Sequence, residues 1–348
     1  MMWRKFSAQE REIVMQPISR RQFGRTIATA AAAAGAGFGA AGKPNSNFHG
    51  VQIGVITYSF RALRPTAEQT LQFCLDCGIS GVEMMSDIAE RFAGAPSPSF
   101  GRPGAGGPPP GGGRPQMTPE QIEARKKAAE EIKNWRLSAK MDKYKELRRT
   151  WEDAGVKIYA FKLPPTMDMS DGEYDYIWNV AETLGANHIT MEYPYNDDAL
   201  LQRVAEFAAK RKLAIAFHTH GQGAASMFDK AIAASKYTMM NFDIGHYYGV
   251  NGLSPVPVIE KYHERIASLH LKDRKGPQAA SENRGPGGGG PNMPWGEGAT
   301  PLKEVLQLMK TRKFKFPGSI EYEYDTPAGS TELAEIKKCV EYARKALA

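Results

Sequence analysis

Three short apolar runs in the last third of the chain each end in a carboxylate or an imidazole. They are Asn241-Phe-Asp243-Ile-Gly-His246, His270-Leu-Lys272-Asp273-Arg274 and Ile320-Glu321-Tyr-Glu323. The segments between them are long enough to be helices. Strands that alternate with helices build a parallel sheet, and a closed parallel barrel gathers the C-terminal ends of its strands around one site. Asp, Glu and His are metal-ligand types, so the pattern implies a rim that binds a metal ion and an enzyme built on it.

The whole chain carries the alternation. Strand-like runs are read at Val51–Tyr58, Gly81–Met85, Val156–Lys162, His188–Glu192, Leu213–His218, Met239–Asp243, Ala267–Lys272 and Ser319–Tyr324, each followed by a helical pattern. Eight such units predict a (β/α)8 TIM barrel. An open doubly wound sheet is the alternative, but no Gly-x-Gly-x-x-Gly turn follows the first strand to support dinucleotide binding. Two Gly/Pro-rich insertions, Ala93 to Pro115 and Gly276 to Gly298, interrupt the pattern after the second and seventh strands. Both lack the apolar content that repays ordering, so both are expected to be mobile. The second contains Pro294-Trp295-Gly296-Glu297-Gly298, an expected lid segment with Trp295 as a substrate contact. The charged stretch from Thr118 to Ala154 is balanced in sign and predicts one or two solvated outer helices.

The N-terminus stands apart. Ser19-Arg20-Arg21-Gln22-Phe23 followed by an Ala/Gly run to Gly42 resembles a twin-arginine export signal, with cleavage expected near Ala41 and Met15 as a possible alternative start. Residues 1–42 are assigned to that signal, residues 43–348 to the barrel, and the mature protein to the periplasm. Removing six Lys/Arg and two Asp/Glu with the signal lowers the formal charge from +7 to +3. Nucleic acid is therefore not an expected partner. No apolar run reaches the ~20 residues of a membrane-spanning helix, so stable membrane insertion is not expected either. The oligomeric state stays open, a homo-oligomer included. Cys74 and Cys77, spaced C-x-x-C inside a helical stretch, are read as small core residues, as is Cys339.

Alternation along a strand puts Asn241 with Asp243, His270 with Lys272, and Glu321 with Glu323 on the inward face. Asp243, His270 and Glu321 are then candidate ligands of one divalent ion, Mn, Mg, Co or Zn, with Glu192 as the fourth. His218 lies near the same layer as Glu192 and could replace it. His218, His220, His246 and His270 gather at three consecutive strand ends, which outweighs the ordinary reading of each as a satisfied core histidine. His188 and His263 receive no role.

Val51-Gln-Ile-Gly-Val-Ile-Thr-Tyr-Ser, the Asp243-x-x-His246 pair, His270-Leu-Lys272-Asp273 and Ile320-Glu321 together resemble the xylose-isomerase-like barrel superfamily. That superfamily holds sugar isomerases and epimerases, inosose dehydratases and zinc-dependent apurinic endonucleases. In its isomerase and epimerase branch the ligands are Glu, Asp, His and Glu at strands five to eight. The last three match Asp243, His270 and Glu321, whereas strand five here ends in His218.

The resemblance implies an isomerase or epimerase of a sugar or ketosugar, working through an enediolate, with Glu321 as an acid/base residue; Glu192 on the neighbouring strand is read as the substitute for the absent carboxylate, and His218 as a further proton-moving residue. His220, His246, Lys272, Arg274 and Lys162 would orient the substrate. A divalent ion chelating a carbonyl and its neighbouring hydroxyl stabilises the enediolate, and a carboxylate beside it moves the proton. Elimination from a 3-ketosugar or its glycoside is the nearest alternative. A non-catalytic periplasmic carbohydrate-binding protein is the alternative of a different class.

Overall fold

The computed structural model describes residues 42–96, 117–220, 226–277 and 289–348. The Arg20-Arg21 segment, most of the first Gly/Pro-rich insertion and residues 278–288 of the second lie outside the described residues. Lys43–Ala348 forms one compact unit.

Eight parallel strands make the barrel: β1 (Val51–Ile56), β2 (Gly81–Met85), β3 (Lys157–Lys162), β4 (His188–Glu192), β5 (Ala214–His218), β6 (Thr238–Asp243), β7 (Ile266–Leu271) and β8 (Gly318–Ile320). Each pairs with the next in sequence, and β8 pairs back onto β1, so the sheet closes. A parallel sheet covered by helices is buried on both faces, which is why these strands read as nearly continuous apolar runs. All five residues of β2 are buried, Glu83 among them. Helices start where the sequence provides caps: Thr66, Thr118 and Ser170 each close a capping box with the Gln or Glu three residues on.

The charged stretch forms two helices. Pro119–Ser138 buries no residue, whereas Asp142–Asp153 buries Tyr144, Leu147 and Trp151. Cys74, Cys77 and Cys339 are buried free thiols. No helix of the described residues is long and apolar enough to cross a membrane.

The first and last strands end earlier than their apolar runs suggest. After Ile56 the chain turns into a 3-10 helix, Thr57–Leu63. From it Ser59 Oγ donates to the Ile320 carbonyl and accepts from Tyr322 N, and Arg61 donates to the Tyr322 carbonyl. Glu321 N still donates to the Leu271 carbonyl, side chains take over the Ile320 carbonyl and the Tyr322 backbone groups, and Glu321 to Tyr324 continue as irregular chain.

The barrel floor is filled by the Tyr159 ring, stacked on His188 at 6.4 Å. Gly54 and Gly81 give it room, since a Cβ at Gly54 would fall 2.5 Å from the Tyr159 hydroxyl.

Candidate active site

The rim of β5 to β8 brings His218, Asp243, His270 and Glu321 together. One ligand atom from each lies within 4.8 Å of the others, and all four residues are buried. The ladder explains the grouping, because Asp243 and His270 are register partners and His270 pairs in turn with Ser319, two residues before Glu321. Asp243 also caps the helix Ile244–Asn251: its Oδ1 accepts from His246 N at 2.7 Å. The Asp-x-x-His spacing is the geometry of that cap. The other oxygen, Oδ2, makes no hydrogen bond although it is buried.

Lys272 reaches into this group. Its Nζ lies 3.0 Å from Asp243 Oδ2, 2.8 Å from Glu321 and 2.7 Å from Glu323. The Asp243 contact is one of charge alone, without hydrogen-bond geometry. Burial works against the ammonium, but the three carboxylates more than offset it and push the Lys272 pKa upward. Gly245 makes the approach feasible, as a Cβ there would lie 2.6 Å from the Lys272 carbonyl oxygen.

The two imidazoles of the group are in opposite states. His270 places Nδ1 2.8 Å from Glu321 and Nε2 2.8 Å from Glu83, and although burial opposes charge the two carboxylates raise its pKa to about 10. His218 is lowered to about 3 by burial and is a neutral ring, with Nδ1 2.9 Å from Asn241 Oδ1. Glu83 stays ionised: burial opposes its charge, yet His270, Lys162 and the Thr190 hydroxyl bring it down to about 2.

A second cluster sits beside the first. Glu192 and His218 are register partners, but Glu192 turns to Lys162 at 3.0 Å and to His220 Nδ1 at 3.1 Å. Its side chain is 45% exposed, against a completely buried His270. Burial raises the Glu192 pKa, but Lys162 and the imidazoles hold it well below the usual carboxylate range, and Glu192 in return raises His220 against the effect of burial. The structure therefore places His218, and not Glu192, in the four-residue group.

His218, His220 and His246 also lie within ligand distance of one another. That set is a poor cation site, because Arg274 Nη1 stands 2.7 Å from His246 Nδ1 and can only donate. His246 Nε2 in turn faces the Lys272 ammonium at 3.0 Å, so both ring nitrogens meet donor-only cations. Arg274 further donates to the Gly290 carbonyl from Nε and Nη2. Burial and the nearby cations keep His246 neutral, with its pKa well below the usual range.

Trp295 is not brought into either cluster. Its ring packs edge-on against Tyr342 at 5.8 Å, and the turn that carries it is pinned by Asp273, which accepts from the backbone of Gly296, Gly298 and Thr300. Glu83 had no place among the sequence candidates. Its signal was a lone acid inside the apolar run Gly81-Val-Glu83-Met-Met85.

The donor set suits a divalent ion. Two carboxylates and two imidazoles match the preferences of Zn, Mn, Co or Fe, and the buried, hydrogen-bond-less Oδ2 of Asp243 is an oxygen that a cation would satisfy.

The sequence matches the family model described as xylose isomerase-like TIM barrel over residues 106–346. The chain belongs to the xylose isomerase-like TIM barrel family. Solved structures with the same fold include a xylose isomerase domain containing protein from Salmonella typhimurium LT2, at TM-score 0.54 and 11% identity over 86% of this chain and 98% of that one. The probable 3-DHS dehydratase involved in petrobactin synthesis from Bacillus anthracis gives 0.53 and 15% over 82% and 98%. A xylose isomerase domain protein from Planctomyces limnophilus gives 0.51 and 12% over 87% and 98%. No curated protein matches the chain. Family membership supports the general class of sugar-modifying enzymes.

Proposed function

We propose that this family member is a metal-dependent isomerase that moves a proton between adjacent carbons of a sugar or ketosugar. The observation that carries the reading is the ligand group itself, a neutral imidazole at β5 facing two carboxylates and a second imidazole. His218, Asp243, His270 and Glu321 would hold the ion. When bound, the ion supplies electrophilic stabilisation of the oxyanion that develops as the proton leaves. Glu321, held well below the usual carboxylate range by Lys272 and His270 despite its burial, is ionised and serves as the base. Lys272 offers a donor to substrate oxygens. Arg274 positions His246 through Nδ1.

Epimerisation by two opposed carboxylates fits less well. It needs a base on each face of the stereocentre, and a His218 ring whose nitrogens serve Asn241 and the ligand group has no proton-accepting site left. Elimination of a β-oxygen from a ketosugar or its glycoside is a second reading, favoured by the His220–Glu192 pair, in which the carboxylate raises the His220 pKa and so favours the acid form that a leaving oxygen needs. Incubating the metal-loaded protein with aldoses, ketoses and 3-ketoglycosides in deuterium oxide tests the proposal. It expects metal-dependent exchange at the carbon next to the carbonyl. The absence of exchange with every sugar, metal present, contradicts it.

The export reading extends the proposal to location and rests on Arg20-Arg21 and the small-residue run after them. Replacing both arginines by lysine should leave the precursor in the cytoplasm. Unchanged periplasmic yield would refute it.

A further inference from the structure

We propose that Glu83, buried on β2 beneath the ligand group, sets the tautomers of both candidate ligand histidines, His270 directly and His218 through Asn241. The inference rests on the metal-site reading above for its purpose, and on hydrogen-bond chemistry for its content.

Three donors converge on the two oxygens of Glu83. The Thr190 hydroxyl donates at 2.6 Å, His270 Nε2 lies at 2.8 Å and Asn241 Nδ2 at 3.4 Å. A carboxylate only accepts, so the Asn241 edge that faces it is the NH2 edge. Swapping the amide would turn its oxygen against a carboxylate oxygen. The same NH2 group donates to Ser268 Oγ at 2.7 Å, and that hydroxyl also contacts His188 Nε2 at 3.0 Å. The Asn241 carbonyl oxygen is thereby committed to the other side, 2.9 Å from His218 Nδ1. An oxygen can only accept, so His218 bears its proton on Nδ1 and carries the lone pair on Nε2.

The β-ladder makes this chain possible. His218 and Asn241 are register partners, and so are Asn241 and Ser268, which puts three side chains of β5, β6 and β7 in one tier below the rim. His270 receives the opposite instruction from the same carboxylate. Its Nε2 proton is held by Glu83 and its Nδ1 proton by Glu321, so a metal would take Nδ1 by displacing the second proton while Glu83 keeps the first. One buried acid thus orders an Nδ1–H ring on β5 and an Nε2–H ring on β7, and Asn241 acts as the adaptor that inverts the polarity between them. Partners of this kind fix ring orientation and commonly change metal affinity by about 10–100-fold.

The test uses the full-length mature protein with 15N-labelled histidine, assigned through a His218→Gln variant. Long-range proton–nitrogen spectra of the metal-free protein should show His218 as the Nδ1–H tautomer. In the zinc-loaded protein His270 should keep its Nε2 proton. Asn241→Leu should abolish the His218 preference, Glu83→Gln should disturb both rings, and each should weaken zinc binding by about 10–100-fold in direct titration. An Nε2–H tautomer at His218 in the wild type overturns the inference, as does unchanged zinc affinity in both variants. The wild-type spectrum decides the His218 arm even if a variant does not fold. An Nδ1–H His218 in a protein that retains no metal supports this inference and overturns the metal reading, so the two fail separately.

Discussion

Two clusters of charged side chains share the C-terminal rim of the barrel, and they are built differently. The group on β5 to β8 is buried, and its histidines are held from below by Glu83 and Asn241. The Lys162–Glu192–His220 group on β3 to β5 touches the first through His218, whose ring centroid is 4.8 Å from that of His220, but its Glu192 and His220 side chains are 45% and 41% exposed. A buried, braced group keeps its geometry when a ligand arrives, whereas a half-exposed ion pair re-forms around what it meets. Under the proposed function the first would hold the ion and the second would meet the changing part of the substrate.

The assignment fails most visibly if the buried group is dispensable. Asp243→Asn and His270→Ala should each abolish metal retention with the fold preserved, and Glu321→Gln should cost on the order of 10²–10⁴ in turnover as a lost general base. Stoichiometric metal in purified Asp243→Asn or His270→Ala would remove that residue from the ligand set.

A smaller effect sharpens what Lys272 contributes. Its ammonium balances Asp243, Glu321 and Glu323. Lys272→Met should destabilise the metal-free protein by about 3–5 kcal/mol, the usual cost of removing one partner of a buried ion pair. Added zinc should restore much of the loss, because a second cation then answers the same carboxylates. An equal loss of thermal stability with and without zinc would show that Lys272 and the ion do not share them.

The exposed cluster should respond only modestly, and through pH. Glu192 raises the folded-state pKa of His220, so the pair contributes stability that is fully present below the unfolded value of about 6.5 and is lost as pH rises through the folded value. In Glu192→Gln the His220 titration, followed by NMR, should move to lower pH. An unmoved midpoint would mean that the ion pair does not form in solution.

Much of this was legible in the sequence. The eight apolar runs match the eight strands to within one residue except at β1, which ends two residues early, and β8, which ends four early where Ser59 and Arg61 replace ladder hydrogen bonds with side-chain ones, a device that leaves no periodic trace. Asp243, His270 and Glu321 were visible because strand ends on a closed barrel must converge. Glu192 and His218 could not be ranked from spacing, since they are register partners at one height, and the direction Glu192 takes is decided by Lys162 on β3, far away in sequence. Glu83 escaped notice because a single acid in an apolar strand acquires meaning only through what the barrel sets opposite it, here His270 on β7 and Asn241 on β6.

That ranking is the point on which the two-cluster account stands, and metal content measures it directly. Wild type, His218→Gln and Glu192→Gln would be purified without chelator and analysed side by side for bound divalent metal. The account predicts a metal-replete Glu192→Gln and a metal-depleted His218→Gln, each folded. A metal-depleted Glu192→Gln beside a replete His218→Gln would contradict it and move the fourth ligand to β4.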